Sequence, residues 1–493
     1  MLLASLALLA CSDDRPWVPI DLTTTWSDDV TVDADVTVEA IATLVIEPGV
    51  TVTFAPGAGL VIEGELLAQG SADAPIVFTG DAWRGLSFEP GSQDASFVEV
   101  DDYERGSIVE NAVIEGAVRG MTITDSAPYV HAVTFRNNEI PSTLDTIGGA
   151  ALLIRDGANP RVRDCTFDGN IANTFAFGGA VYVHHADPIF QDDVFINNVA
   201  AYGGGLSTDV FAGPIVGSRF EGNDSASEGG GVSLVSTVSA VLADTFVGNH
   251  AVSDGGGVHV CVDCDPHAAP YLFDDVVTGN TTDNTDPDDG AAGIGAAFLG
   301  ALADSDVHDN LRASAPSDFG WFQLTAEAWP AWVANPALSD VWWGTTDPSA
   351  IAATVHDGAD DARRTTVIVD SPRGEPILSP QPRIVIATRR MRYQDSGDAI
   401  PVFLTIYNPG AEAEATVVIH RNSVPFAGPF EYPGSVDTGD TWTITMPENS
   451  VWFGRIDETT YDGVSIDDVT WTASFAYTAP VLARYVTAPP EGT

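Results

Sequence analysis

Phe195-Ile196-Asn197-Asn198-Val199-Ala200-Ala201-Tyr202-Gly203-Gly204-Gly205-Leu206 is the stretch from which the rest of the chain can be read. Its first half, Phe-x-x-Asn with Val twice in place of Phe, recurs at Phe135/Asn138, Phe167/Asn170, Phe220/Asn223, Phe246/Asn249, Val277/Asn280 and Val307/Asn310. The first positions of the seven copies lie 32, 28, 25, 26, 31 and 30 residues apart. Its second half, a glycine cluster running into an apolar residue, follows at Gly148-Gly149-Ala150, Gly178-Gly179-Ala180-Val181, Gly229-Gly230-Gly231-Val232 and Gly255-Gly256-Gly257-Val258, and decays at Gly290 to Gly295.

Periods of this length mark stacked units that cannot bury an apolar face alone. If each unit is one coil of a parallel β-solenoid, equivalent residues lie about 4.8 Å apart in ladders. The Phe positions then form an inward stack, and the Asn positions sit at a tight bend with their amides bonded to neighbouring coils. The glycines supply positive φ or close backbone approach at a second corner. Spacing that varies while the motifs persist means fixed bends with outer loops of changing length.

Upstream, from about residue 30 to 91, short β-branched runs continue the pattern. Thr43-Leu44-Val45-Ile46, Val50 to Phe54, Leu60-Val61-Ile62 and Ile76-Val77-Phe78 are parted by turn formers such as Pro48-Gly49 and Pro56-Gly57. On these motifs the chain resembles the right-handed parallel β-helix, or pectin-lyase-like, superfamily. Its repeats resemble those of chlamydial polymorphic membrane proteins. The resemblance covers residues 30 to 315 and extends to a closing segment at Trp342-Trp343-Gly344 through Asp361. Those proteins end in an autotransporter barrel, whereas this chain carries only short strands after its repeats.

The expected fold is therefore all-β: a right-handed parallel β-helix over 30–370, a Pro-rich linker over 371–382 and a small β-sandwich, resembling immunoglobulin-like modules, over 383–493. Arg383 to Ala387, Pro401 to Tyr407, Thr416 to Ile419 and Thr441 to Thr445 alternate like half-buried strands, with Asn408-Pro409-Gly410 as a turn. Residues 12–29 read as an N-terminal tether.

Ahead of the tether, Leu2 to Ala10 is an apolar run too short to span a bilayer, which points to a signal peptide. Leu8-Leu9-Ala10-Cys11 resembles a bacterial lipobox, without the usual basic segment before it. The resemblance implies diacylation of Cys11 and a lipid anchor in a membrane. With Ser12 following, it implies an outer-membrane or cell-surface protein.

Of the 493 residues, 70 are acidic and 20 basic, a formal net charge of −50, and every basic residue is arginine. Such a surface repels phosphate backbones and excludes a nucleic-acid partner. The chain is 44% hydrophobic with mean hydropathy +0.08, enough to build a core. In an exported chain Cys261 and Cys264, with two residues between them, are expected as a local disulfide, with Cys165 a small buried hydrophobe. His259, Cys261, Cys264 and His267 also have the residue types of a zinc site, but the compartment favours the disulfide. His184-His185 reads as a loop pair.

Chemistry is harder to read. Asp283, Asp286, Asp288 and Asp289 form a loop suited to a hard cation such as calcium, or an acidic solvated turn. Asn284-Thr285-Asp286 resembles one polygalacturonase motif, without the family's histidine and basic motifs; lysine, which a pectate-type lyase would use, is absent. Trp321, Trp329, Trp332, Trp342 and Trp343 suit a cover on the solenoid end, or a sugar platform. The expectation is a monomeric, lipid-anchored, non-enzymatic scaffold for adhesion or glycan binding, needing no cofactor, whose partner is a polysaccharide or another surface protein. The alternative is a polysaccharide lyase or hydrolase, which would show converging carboxylates and a basic partner in a groove on one strand face. A plain structural spacer is a third reading.

Overall fold

The computed structural model describes residues 18–141, 148–173, 175–261, 269–285, 291–297, 299–321, 337–357, 359, 367–388, 400–421, 424–425, 429–431, 435–437, 442–458, 471–477 and 484–486. The repeats wind into a right-handed parallel β-helix, the hand that a right-twisted strand imposes on its crossovers. Three long parallel sheets form its walls. The first has 13 strands, from Val18–Ile20 to Val355–His356; the second has 13, from Thr24–Trp26 to Ile368–Asp370. The third has 11, from Val30–Val32 to Asp306–His308.

The helix starts earlier than the sequence patterning suggested. Val18 pairs with Val36 and Thr24 with Leu44, so residues 18–29, expected in a tether, form much of the first coil. Their strands, Val18–Ile20 and Thr24–Trp26, are only three residues long and carry none of the Phe, Asn or glycine motifs of the later coils.

Both ladders are present. Phe135, Phe167, Phe195, Phe220 and Phe246 pair in register, all fully buried, and Val277 and Val307 continue the column. Successive ring centroids are 5.1, 4.7, 4.4 and 4.8 Å apart, nearly parallel, at the spacing the backbone dictates. Removing each ring from water contributes about 1.5–3 kcal/mol.

The asparagine ladder turns the corner after the third sheet. Asn198 Oδ1 accepts from the backbone N–H and the side-chain amide of Asn170 at 2.9 and 3.0 Å. Its own amide donates to the Phe167 carbonyl and to Asn223 Oδ1, both at 2.9 Å. The pattern runs from Asn138 to Asn310, where Asp318 accepts the last amide at 2.9 Å. At the next corner Gly203 has φ +66°, and a Cβ on Gly204 would lie 2.6 Å from the Gly230 carbonyl oxygen; side chains are excluded there.

A second buried ladder, between the second and third sheets, was not foreseen. Asp193 accepts from Cys165 N–H at 2.8 Å, Asp244 from Ser218 N–H at 2.6 Å, and Asp275 from Asp244 N–H at 2.9 Å. Burial pushes all three carboxyls well above the usual carboxylate range. A raised folded pKa contributes stability below the unfolded value of about 3.9, and that contribution is lost as pH rises through the folded value. Asp193→Asn keeps the oxygen that Cys165 uses and removes the titration. Its expected gain over wild type is about 1 kcal/mol or more at pH 7.5 and close to none at pH 4. Denaturant midpoints at the two pH values check this.

The outer face of the second sheet is occupied. A hairpin, Ser96–Val98 with Asp102–Arg105, lies over Tyr129; the guanidinium of Arg161 sits 4.6 Å from the Phe97 ring and pairs with Asp101. Further along, Val216, Leu242, Tyr271 and Phe273 share one apolar cluster with Val385, Phe403, Tyr407 and Phe453 of the C-terminal unit. That unit has two sheets of mainly antiparallel strands. Ile384, Ile386, Leu404 and Ile406, which alternate with the residues of that cluster, are also fully buried, and the unit's two sheets contact one another. Arg383, 2% exposed, bridges Asp274 at 2.7 Å and Asp304 at 2.8 Å and locks the junction. The expected linker, 371–382, has no strand and is laid on the helix: Arg373 N–H donates to Val341 and Ile377 N–H to Asp306.

Candidate functional site

With the second sheet covered, the outer faces of the first and third sheets remain. The third presents Thr, Glu, Arg and Asp in cross-strand pairs such as Arg136 with Glu115 at 2.7 Å. The first is different, because a ridge stands beside it. Phe177, Tyr202, Glu228 and Asp254, each just before a glycine cluster, pair from coil to coil, and Gly148 takes the equivalent place in the coil before them. Four residues beyond the first glycine, the outward positions of the sheet form a parallel column, Tyr182, Ser207, Ser233, His259, all four of them buried. Ridge and column run side by side along the helix axis.

One end of this strip is aromatic. The Phe177 ring stacks on Tyr202 at 5.1 Å and on Tyr182 at 5.4 Å, with Tyr182 buried beneath. Phe177 and Tyr202 are half-buried, and Phe175 on the same loop is 86% exposed. Beside them His184 Nδ1 lies 3.1 Å from Asp209 Oδ2, with His185 packed on His184, ring centroids 4.3 Å apart. Val210, next to Asp209, holds φ +57°. That left-handed backbone is strained for a β-branched residue, and such strain gathers at functional sites.

The other end is ionisable. His259 Nε2 is buried and makes no hydrogen bond; Glu228 Oε2 is 3.4 Å away and Asp254 Oδ2 3.9 Å. Burial lowers the pKa of His259, which favours a neutral ring. Burial, offset in part by His259, pushes Asp254 up to about 6. Asp254 Oδ1 accepts from Gly255 and Ala291 N–H at 2.7 and 2.6 Å, so that oxygen also holds the corner.

Among the residues singled out from sequence, Phe135 to Phe246 stack in register and Asn138 to Asn249 are joined side chain to side chain. Cys165 is a buried free thiol whose pKa is raised by burial. Cys261 is disulfide-bonded, and Cys264, its expected partner, lies outside the described residues. Asp283 is exposed, 3.4 Å from His250, while Asp286, Asp288 and Asp289 fall outside the described residues, as do Cys11, His267, Trp329 and Trp332. Trp343 is buried at the end of the core, in keeping with an end cover.

Sequence reading did not find Phe177, Tyr182, Tyr202, Glu228 or Asp254. A signal was present: each ridge residue immediately precedes a glycine cluster, a fixed offset inside an otherwise variable loop.

The chain matches no protein-family model, and no curated protein is similar to it in sequence. Among solved structures it is similar to the Dettilon tailspike protein (gp208), at 9% identity and TM-score 0.21, over 90% of this chain and 87% of that one. It is also similar to the tailspike protein of E. coli bacteriophage HK620 in complex with pentasaccharide, at 13% identity and TM-score 0.22, over 89% and 86%. At such similarity no residue role passes from those proteins to this chain.

Proposed function

We propose that the strip along the first sheet is a glycan-binding surface, and that the chain is a lipid-anchored scaffold holding it away from a bacterial membrane. One observation carries the binding reading: the stacked Phe177, Tyr202 and Tyr182 on an otherwise polar wall. Aromatic faces beside hydrogen-bonding groups suit sugar rings, which offer C–H faces and hydroxyl edges at once. The ridge repeats with the coil rise, so successive coils offer successive contacts to an extended polymer. With a net charge of −50, a neutral polysaccharide is favoured over an anionic one. The anchor rests on the lipobox-like Leu8-Leu9-Ala10-Cys11.

A second reading is favoured by Glu228, Asp254 and His259. Two carboxyl groups around one ring, one with a pKa of about 6, is the pairing that glycoside hydrolysis divides between acid and base. The near-complete burial of Asp254 and its two backbone bonds favour the binding reading.

Retention in gels cast with neutral or anionic polysaccharides, with reducing ends assayed in parallel, separates these. Tyr202→Ala is expected to weaken retention on a neutral polymer about tenfold, the worth of one aromatic contact. Unchanged retention would remove the platform from the site. New reducing ends lost in Glu228→Gln and Asp254→Asn would make the protein a hydrolase.

A further inference from the structure

We infer that His184, His185 and Asp209 form a binding site for a transition-metal ion of the zinc class. Consecutive residues of a strand point to opposite faces, so adjacent histidines do not normally meet. Here His185 holds φ +52° at the corner ending the first sheet, which breaks the alternation and brings its ring against His184. Asp209 is the register partner of His184 in the next coil. One ligand atom from each of the three lies within 4.8 Å of the others.

The distances suit a small ion. Bonds of about 2.0–2.1 Å in tetrahedral geometry put ligand atoms about 3.3 Å apart. His184 Nδ1 and Asp209 Oδ2 already stand at 3.1 Å, and a ring nitrogen of the exposed His185 lies within 4.8 Å of its two partners' ligand atoms. Arg155, the register neighbour of His184 in the preceding coil, is turned away toward Thr124 at 3.1 Å and Asp156 at 3.5 Å. Tyr182 Oη stands 3.5 Å from His184 Nδ1, a long contact that a bound ion would replace. Two imidazoles with one carboxylate select zinc, nickel or copper over calcium or magnesium, which prefer all-oxygen sets. Three protein ligands leave a position open to water or to a hydroxyl of a bound molecule. The site stands on its own geometry and does not depend on the glycan reading.

Cobalt(II) is the probe, titrated into the full chain in moderate salt with excess magnesium to occupy the diffuse acidic surface. One equivalent is expected to give the visible d–d bands of a tetrahedral site and to be displaced by one equivalent of zinc. His185→Ala leaves the His184–Asp209 pair intact and is expected to weaken binding by about tenfold or more, as is Asp209→Asn. His250→Ala, which removes a histidine paired with Asp224 elsewhere on the wall, should change nothing. Absence of the bands, unaltered binding by His185→Ala, or an equal loss in His250→Ala would each overturn the site.

Discussion

Asn198→Asp is expected to destabilise the helix by about 4 kcal/mol or more at neutral pH, although it exchanges one NH2 group for one oxygen. The new oxygen faces the Phe167 carbonyl and Asn223 Oδ1, both acceptors, at the 2.9 Å now spanned by donated protons. The site is fully buried, so an ionised carboxylate also loses its hydration. Protonation relieves part of the defect by restoring one donor. The folded pKa of the new group must therefore rise, and the penalty must grow as pH rises through it. Urea denaturation at pH 5 and pH 8 should show a deficit at both and a larger one at pH 8. A cost below about 1 kcal/mol would mean the ladder does not hold the corner. Asp193→Asn makes the converse exchange at the neighbouring ladder and has the opposite sign. At Asp193 the gain comes from removing a carboxyl whose charged form burial disfavours, whereas at Asn198 the loss comes from removing a donor that two acceptors require.

Phe195→Ala is expected to cost about 3–5 kcal/mol. Its ring is fully enclosed, with Phe167 at 4.7 Å and Phe220 at 4.4 Å on its two faces and Phe190 edge-on at 6.4 Å. The cavity cannot collapse, because its floor and ceiling are held at the strand spacing by backbone hydrogen bonds in all three sheets. Phe246→Ala should cost less. It has Phe220 on one side at 4.8 Å and the smaller Val277 on the other, whose side chain can lean into the gap. Thermal melts of the two variants should rank in that order. In a solenoid, units interact with nearest neighbours, so the Phe195 variant should also expose the coils around it to protease before the ends unravel.

Much of the frame was legible because its determinants are local and repeated. Phe195, Asn198 and Gly203 each act through the residue in the same place one coil away, so identical chemistry recurs at every turn and survives changes in loop length. The first coil was missed because Val18 to Val32 lies at an end, where one neighbour suffices and the motifs are absent. The docking of the C-terminal unit was not legible either, since Arg383 gives no hint in sequence that Asp274 and Asp304, more than 70 positions away, will enclose it.

By itself the sequence determined that this protein is a stack of parallel β-coils with columns of Phe and Asn, because each of those positions meets its own copies in the coils above and below. It did not determine which outward residues share a wall. Phe177, Tyr202, Glu228 and Asp254 are unlike one another, and only their shared offset before the glycine clusters marks them as a set. Only closure of each coil onto the next, fixing the ridge before the glycines, put them in one column. The left-handed turn at His185 likewise brought together two histidines that a continuing strand would have set on opposite faces. Period selects the fold through repetition; the site depends on side chains that differ from coil to coil, and their proximity exists only once the register is set.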